Sequence, residues 1–124
     1  MNITIKSIPH KSQRYDTLGD WFYDENGDFI ISVSNDNAGL PTEDHQFLCA
    51  LHELIEVYLC KKDGVTQEQV DHFDMIKYHE YSESDFGEPG DHPRAPYREQ
   101  HRKAMLIEML MANFLKMENY GVIR

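Results

Sequence analysis

Positive charge is scarce in this chain: 12 Lys and Arg face 22 Asp and Glu, for a formal net charge of -10. Such a field repels nucleic-acid phosphates and anionic membrane surfaces, so neither is expected as a partner, and it concentrates cations. Cysteine is nearly absent, with only Cys49 and Cys60. If both lie on one helix they stand about 16 Å apart along its axis, too far for a disulfide. A reducing, cytoplasmic setting is therefore expected. Long apolar runs are missing too. Residues 1–10 have no charged flank followed by a long apolar run, so a signal peptide is not expected there. The most apolar stretch, 47–60, is broken by His52, Glu53 and Glu56, which excludes a membrane-spanning helix. There is no internal repeat and no linker. A hydrophobic fraction of 40% and a charged fraction of 27% fit a single soluble domain over residues 1–124. A domain of that length buries roughly two-thirds of its extended-chain surface.

What is present divides the chain in two. The first third reads as β. Ile3, Ile5 and Ile8 form a short extended run ended by Pro9. Two β-rich arms, near 18–24 and 28–34, flank Asn26-Gly27, a hairpin signal whose two turn residues must accept positive φ. The rest reads as helix. Thr42 caps a first helix with Glu43 and Asp44 in its first turn, and Lys61-Lys62-Asp63-Gly64 ends it. Thr66-Gln67-Glu68-Gln69 fits a capping box opening a second helix to about Tyr81. A loop rich in Gly, Pro, Ser and Asp covers 82–96, and a loop that long in a small domain is usually functional or mobile. A third helix runs from about Pro96 to about Met117, with Asn119-Tyr120-Gly121 as its stop. The expected fold is α+β: a small antiparallel N-terminal sheet beside three helices, the first one central and the third crossing it.

The informative segment is Leu51-His52-Glu53-Leu54-Ile55-Glu56. Around a helix, Phe47, Leu48, Leu51, Leu54, Ile55, Tyr58 and Leu59 cover one broad face, and Ala50 and Val57 extend apolar character to the far side. Such a helix is buried, and His52, Glu53 and Glu56 interrupt it as one polar wedge. Buried ionised groups need partners, and a metal ion is one answer. His52 and Glu56, four residues apart, point to one side with Cβ atoms about 5–6 Å apart. Glu53, rotated by about 100°, is placed to act as a base rather than as a ligand. The third helix offers His101 as a further ligand, on a stripe with Tyr97, Ala104, Glu108, Met111 and Leu115. Glu108 is expected to orient a ligand or replace one, and His92 in the long loop competes with His101.

A short β region, a sharp loop and a buried helix reading ALHELIEVYL resemble the minimal zincin-type metallopeptidase core over residues 18–62, plus a downstream helix. The second histidine of the H-E-x-x-H motif is replaced here by Glu56. The resemblance implies metal-dependent hydrolysis, most simply of peptides. His52, Glu56 and His101 would bind Zn²⁺, with Mn²⁺ or Fe²⁺ accepted by the same mixed donors. Glu53 would take the proton of an activated water, and Tyr97 or Arg94 would stabilise an oxyanion. The strand at 28–34, if at a sheet edge, would pair with an extended substrate. Two other readings fit the same residues. One is a metal-binding or interaction module without activity. The other is a Mg²⁺-dependent nucleotide pyrophosphatase using Glu53/Glu56 and Asp71/Asp74. The Met-rich third helix suggests a homodimer.

Overall fold

The computed structural model describes residues 1–36, 39–81, 87–118 and 120. Three strands form one sheet: β1 (Ile3–Ile8), β2 (Gly19–Tyr23) and β3 (Phe29–Ser34), in the order β1-β3-β2. Helix α1 (Glu43–Asp63) follows. Then α2 (Gln67–His72), a π-helical stretch (Phe73–Lys77) and α3 (Tyr78–Glu80) make one continuous rod, and α4 (Arg98–Phe114) completes the fold. The domain is α+β, with α1 packed between the sheet and α4.

The β2–β3 hairpin is antiparallel, with Trp21 opposite Ile31. Its turn differs in detail from the Asn-Gly expectation. Asp24 organises it: the Gly27 N–H donates to Asp24 O at 3.0 Å, and the Asp24 carboxylate accepts from the N–H groups of Asn26 and Asp28. Only Gly27 is left-handed, at φ 79°. The loop is therefore a turn closed by an αL glycine, not a two-residue turn with both residues inverted. The sheet is also mixed, because β1 runs parallel to β3, with Ile3 opposite Phe29 and Ile8 opposite Ser34. The hairpin already occupies one edge of β3, so β1 adds to the other, after a connection too long for a second hairpin. The strand at 28–34 is thus central and has no free edge for a substrate.

The helix signals hold at atomic level. Thr42 accepts the His45 N–H, and Gly64 leaves α1 at φ 75°. Thr66 and Gln69 complete a reciprocal capping box at 3.1 and 2.9 Å. Helix α4 starts at Arg98, with Tyr97 as its N-cap, two residues beyond the expected Pro96. It ends at Phe114 rather than near Met117. Of its expected stop, Asn119 and Gly121 lie outside the described residues, as do 82–86 of the long loop.

The sequence carries no sign of the π-helical stretch. Its widened turn sets Phe73 and Asp74, neighbours in the chain, both into the interior. The core proper joins Trp21, Phe29, Ile31 and Val33 of the sheet to Val57, Cys60, Val70, Phe73 and Tyr97. Helix α1 is not apolar and buried all round: Phe47 and Tyr58 are exposed, and its innermost face is Leu48, His52, Glu56, Val57 and Cys60. Of the polar wedge, His52 and Glu56 lie at the seam with α4, whereas Glu53 packs beside Gly19 of β2. Ala104 and Ala112 are buried on the same helix as His101 and Glu108. On the outer side of α4, Leu106, Leu110 and Phe114 are exposed.

Candidate metal centre

Three ligand-type atoms from two helices converge in the α1–α4 seam. His52 Nε2 lies 3.1 Å from Glu56 Oε2 and 3.1 Å from His101 Nδ1, and His101 Nδ1 lies 2.9 Å from Glu56 Oε2. All three residues are less than 5% exposed. The i, i+4 spacing brings the first pair together, and the α4 crossing supplies the third. Ligands about 2.0–2.1 Å from a tetrahedral zinc are themselves about 3.3 Å apart. The triangle is thus within a few tenths of an ångström of that spacing, and its two imidazoles and one carboxylate are the donors that zinc takes.

Each of these three side chains is held from behind. The far nitrogen of His52, Nδ1, donates to Glu108 Oε1 at 2.7 Å. Glu108, 1% exposed, also accepts the Tyr120 hydroxyl. Trp21 on β2 donates its indole N–H to Glu56 Oε1 at 2.9 Å, which leaves Oε2 for the centre. His101 Nε2 faces Asp91 Oδ1 at 3.0 Å and Glu88 Oε2 at 3.5 Å, contacts that are ion pairs rather than aligned hydrogen bonds. Gly90 presses on the same ring so closely that a Cβ there would meet its Cγ and Nδ1 at 2.5 Å. Carboxylate–histidine pairs of this kind fix the tautomer and orientation of metal ligands.

Without an ion, the cluster stores protons. Burial works against a charged His52 ring, but the bonds from Glu108 and Glu56 outweigh it and raise its pKa well above the usual imidazole range. His101 behaves alike, with Asp91 and Glu56 taking it to about 9. For Glu56, burial favours the neutral acid, but the two histidines reverse the balance and hold it near 2.

Glu53 stands beside this group. Its ligand-type oxygen lies within 4.8 Å of those of His52 and Glu56, closer than a rotation of about 100° suggests. Loss of solvent, then the charge of Glu56, push its carboxyl well above the carboxylate range. Its stem packs under the backbone of Gly19, where a Cβ would meet Glu53 Cγ at 3.1 Å and Cys49 Sγ at 2.5 Å.

No family model, curated protein or solved structure matches the chain. Any functional reading therefore rests on the site itself.

The remaining candidates are placed as follows. His92 is buried but sits in an aromatic box, stacked on Tyr81 at 4.7 Å, with its Nδ1 accepting the Arg94 N–H. Among the described residues it joins none of the groups whose ligand atoms converge. Tyr97 packs edge-on against the His101 ring, but its hydroxyl donates to Asp74 Oδ1 at 2.7 Å and faces away from the centre. Arg94 is exposed and lies over the Tyr81 ring. Asp71 pairs with Arg14, and Asp74 accepts from Tyr15 and Tyr97, so both acids of the nucleotide reading are committed elsewhere. Cys49 and Cys60 form no disulfide. Among the described residues no helix is long and apolar enough to cross a membrane.

The sequence reading missed Trp21, Glu88, Gly90 and Asp91. The last three sit in the turn Glu88-Pro89-Gly90-Asp91, whose composition announces a turn but not its neighbour. Trp21 is the chain's one tryptophan, and only its pairing with Glu56 across 35 residues reveals its role.

Proposed function

We propose that this protein is a metal-dependent hydrolase of peptide or other amide bonds, with zinc held by His52, Glu56 and His101. Manganese and iron suit the same donors. The observation that carries the reading is that all three ligands are individually braced, by Glu108, by Trp21 and by Asp91 with Gly90. A buried ion-pair network has no need of converging donor atoms with every opposite atom tethered. The ion would supply Lewis acidity, polarising a carbonyl and easing ionisation of water. Glu53 is the base in this reading, since it lies beside the ligands without a tether of its own in the braced set. Tyr97 acts from behind His101, positioning the ring rather than touching substrate.

The substrate does not add as a strand to the β2 edge nearest the centre. The outward carbonyl groups of Gly19 and Trp21 accept from Thr17 Oγ1 and Arg14, and the Tyr23 N–H donates to Gln67 Oε1. Side chains thus cap that edge. A compact amide or a chain end fits this better than a long extended peptide.

The test is metal content of untagged protein purified without chelator, with His52→Ala and Glu53→Gln alongside. The expected result is about one equivalent of zinc, lost in His52→Ala and kept in Glu53→Gln. Hydrolysis of a fluorogenic amide library should then be present in the wild type and abolished in Glu53→Gln. Absence of metal from every form, with stability unchanged by His52→Ala, overturns the proposal.

A further inference from the structure

The outward face of α4 and of the turn after it carries an open apolar run. Leu106, Ile107, Met109, Leu110, Phe114 and Leu115 are all exposed, Leu106 at 69%, Phe114 at 64% and Leu110 at 54%. With about 200 Å² on a large side chain, such fractions leave about 600 Å² of apolar surface in water, the upper end of what one patch on a monomer carries. Asn113 is the one polar residue exposed within residues 106–115. Exposed charge flanks the run. Lys103 stands three residues before it and Glu118 three residues after it, and neither has an ion-pair partner among the described residues. Arg102, by contrast, is already paired with Glu99 at 3.9 Å. Over residues 98–118 the exposed charges are Arg98, Arg102, Lys103 and Lys116 against Glu99 and Glu118, a positive balance on a chain of net charge -10.

We infer that this face packs on the same face of a second copy of the chain, with the two α4 helices antiparallel about a twofold axis beside Leu110 and Met111. Charge sets the direction. A parallel pair would set Lys103 against Lys103 and Glu118 against Glu118, whereas an antiparallel pair sets each Lys103 against Glu118 of the second copy. The midpoint between Lys103 and Glu118 falls between residues 110 and 111, and so does the midpoint of the apolar run. One axis therefore matches apolar to apolar and cation to anion. Such a contact is self-complementary and closes at two copies. The two faces together bury about 1,200 Å², where stable interfaces begin, and the flanking side chains add to that. The local positive balance spares the contact the repulsion that two acidic chains feel elsewhere. An anionic bilayer fits this face less well, because the whole chain's charge opposes it. The seam side of α4, with His101 and Glu108, faces α1 instead, so pairing leaves the candidate centre unchanged.

The experiment is sedimentation equilibrium of the full chain at low ionic strength, with vesicle co-sedimentation alongside. The wild type should be a dimer at about 10–100 μM, as suits an interface of this size. Leu110→Glu and Leu106→Glu should each weaken association about 100-fold while the melting temperature holds, because both residues are exposed in the single copy. Lys103→Glu and Glu118→Lys should each weaken it about tenfold, and the double reversal in one chain should restore it. A wild type that is monomeric throughout that range overturns the proposal, as does a dimer that both Leu→Glu variants leave intact. A double reversal no tighter than the single reversals overturns the antiparallel pairing. A monomer that binds phosphatidylserine vesicles, and loses them in Leu110→Glu, overturns the proposal in favour of a membrane contact. Metal content is independent of all these outcomes, so the metal reading stands or falls separately.

Discussion

Asp74 gives the sharpest test of the electrostatics in this interior. The π-helical stretch turns it inward, where it is 5% exposed and accepts from Tyr15 at 2.8 Å and Tyr97 at 2.7 Å. Burial pushes its pKa up, the two phenols oppose the shift, and the outcome is about 7 against 3.8 unperturbed. Between those values the folded protein holds a proton that the unfolded chain has lost. Stability must then fall as pH rises from about 4 to about 7 and level off above that range. Each pH unit is worth about 1.4 kcal/mol, so the whole window amounts to about 4 kcal/mol. Asp74→Asn removes the titration and keeps the shape. Urea unfolding of metal-free protein, followed by the fluorescence of the single buried Trp21, measures both forms across the window. The substitution should cost most at pH 4, and its cost should shrink by about 4 kcal/mol by pH 7. Two stability curves that run parallel from pH 4 to pH 7 would refute the assignment of a raised pKa to Asp74.

Three further outcomes follow from contacts described above. Glu108→Gln removes the charge behind His52 Nδ1 and should weaken zinc binding about 10- to 100-fold, read by competition with a chromophoric chelator. Zinc binding should release protons, because His101 titrates near 9 in the ion-free protein. Below that value affinity should rise with pH, and calorimetry in buffers of different ionisation enthalpy should report the released proton. Gly19→Ala places a Cβ 2.5 Å from Cys49 Sγ and should destabilise by about 1–3 kcal/mol. Cys49→Ala in the same chain should restore most of that loss in a denaturant titration.

Local signals in the sequence were legible where one residue type does one job. Thr42, Gly64 and the Thr66–Gln69 box end or begin helices within a residue of where they should. The convergence of His52, Glu56 and His101 was legible because helical spacing puts the first two together, and His101 is one of two polar residues on an apolar stripe of α4. Glu108 was legible as a brace for the same reason. What failed to show is tertiary. Nothing local states that β1 joins β3 in parallel, or that β3 is therefore central and closed to substrate. The π-helical turn, the capping of β2 by Arg14 and Gln67, and the approach of Gly90 to His101 are all consequences of packing between distant segments. The exposure of Phe47 and Tyr58 has the same origin: α1 has two covered sides, and apolar periodicity cannot say which residues face a third.

The parallel pairing of β1 also sets an order of assembly. Ile3 pairs with Phe29 across a much longer stretch of chain than the β2–β3 hairpin spans, so it is expected to dock after that hairpin has formed. Loop closure over that separation is entropically costly, whereas the hairpin closes locally. The first strand is almost wholly exposed on its faces and leans chiefly on β3. The sheet is thus a stable hairpin with a late, loosely held third member. Amide protons of β1 should exchange by local opening, well before those of Trp21 and Ile31, and the seam that carries His52 and His101 would stay intact while they do.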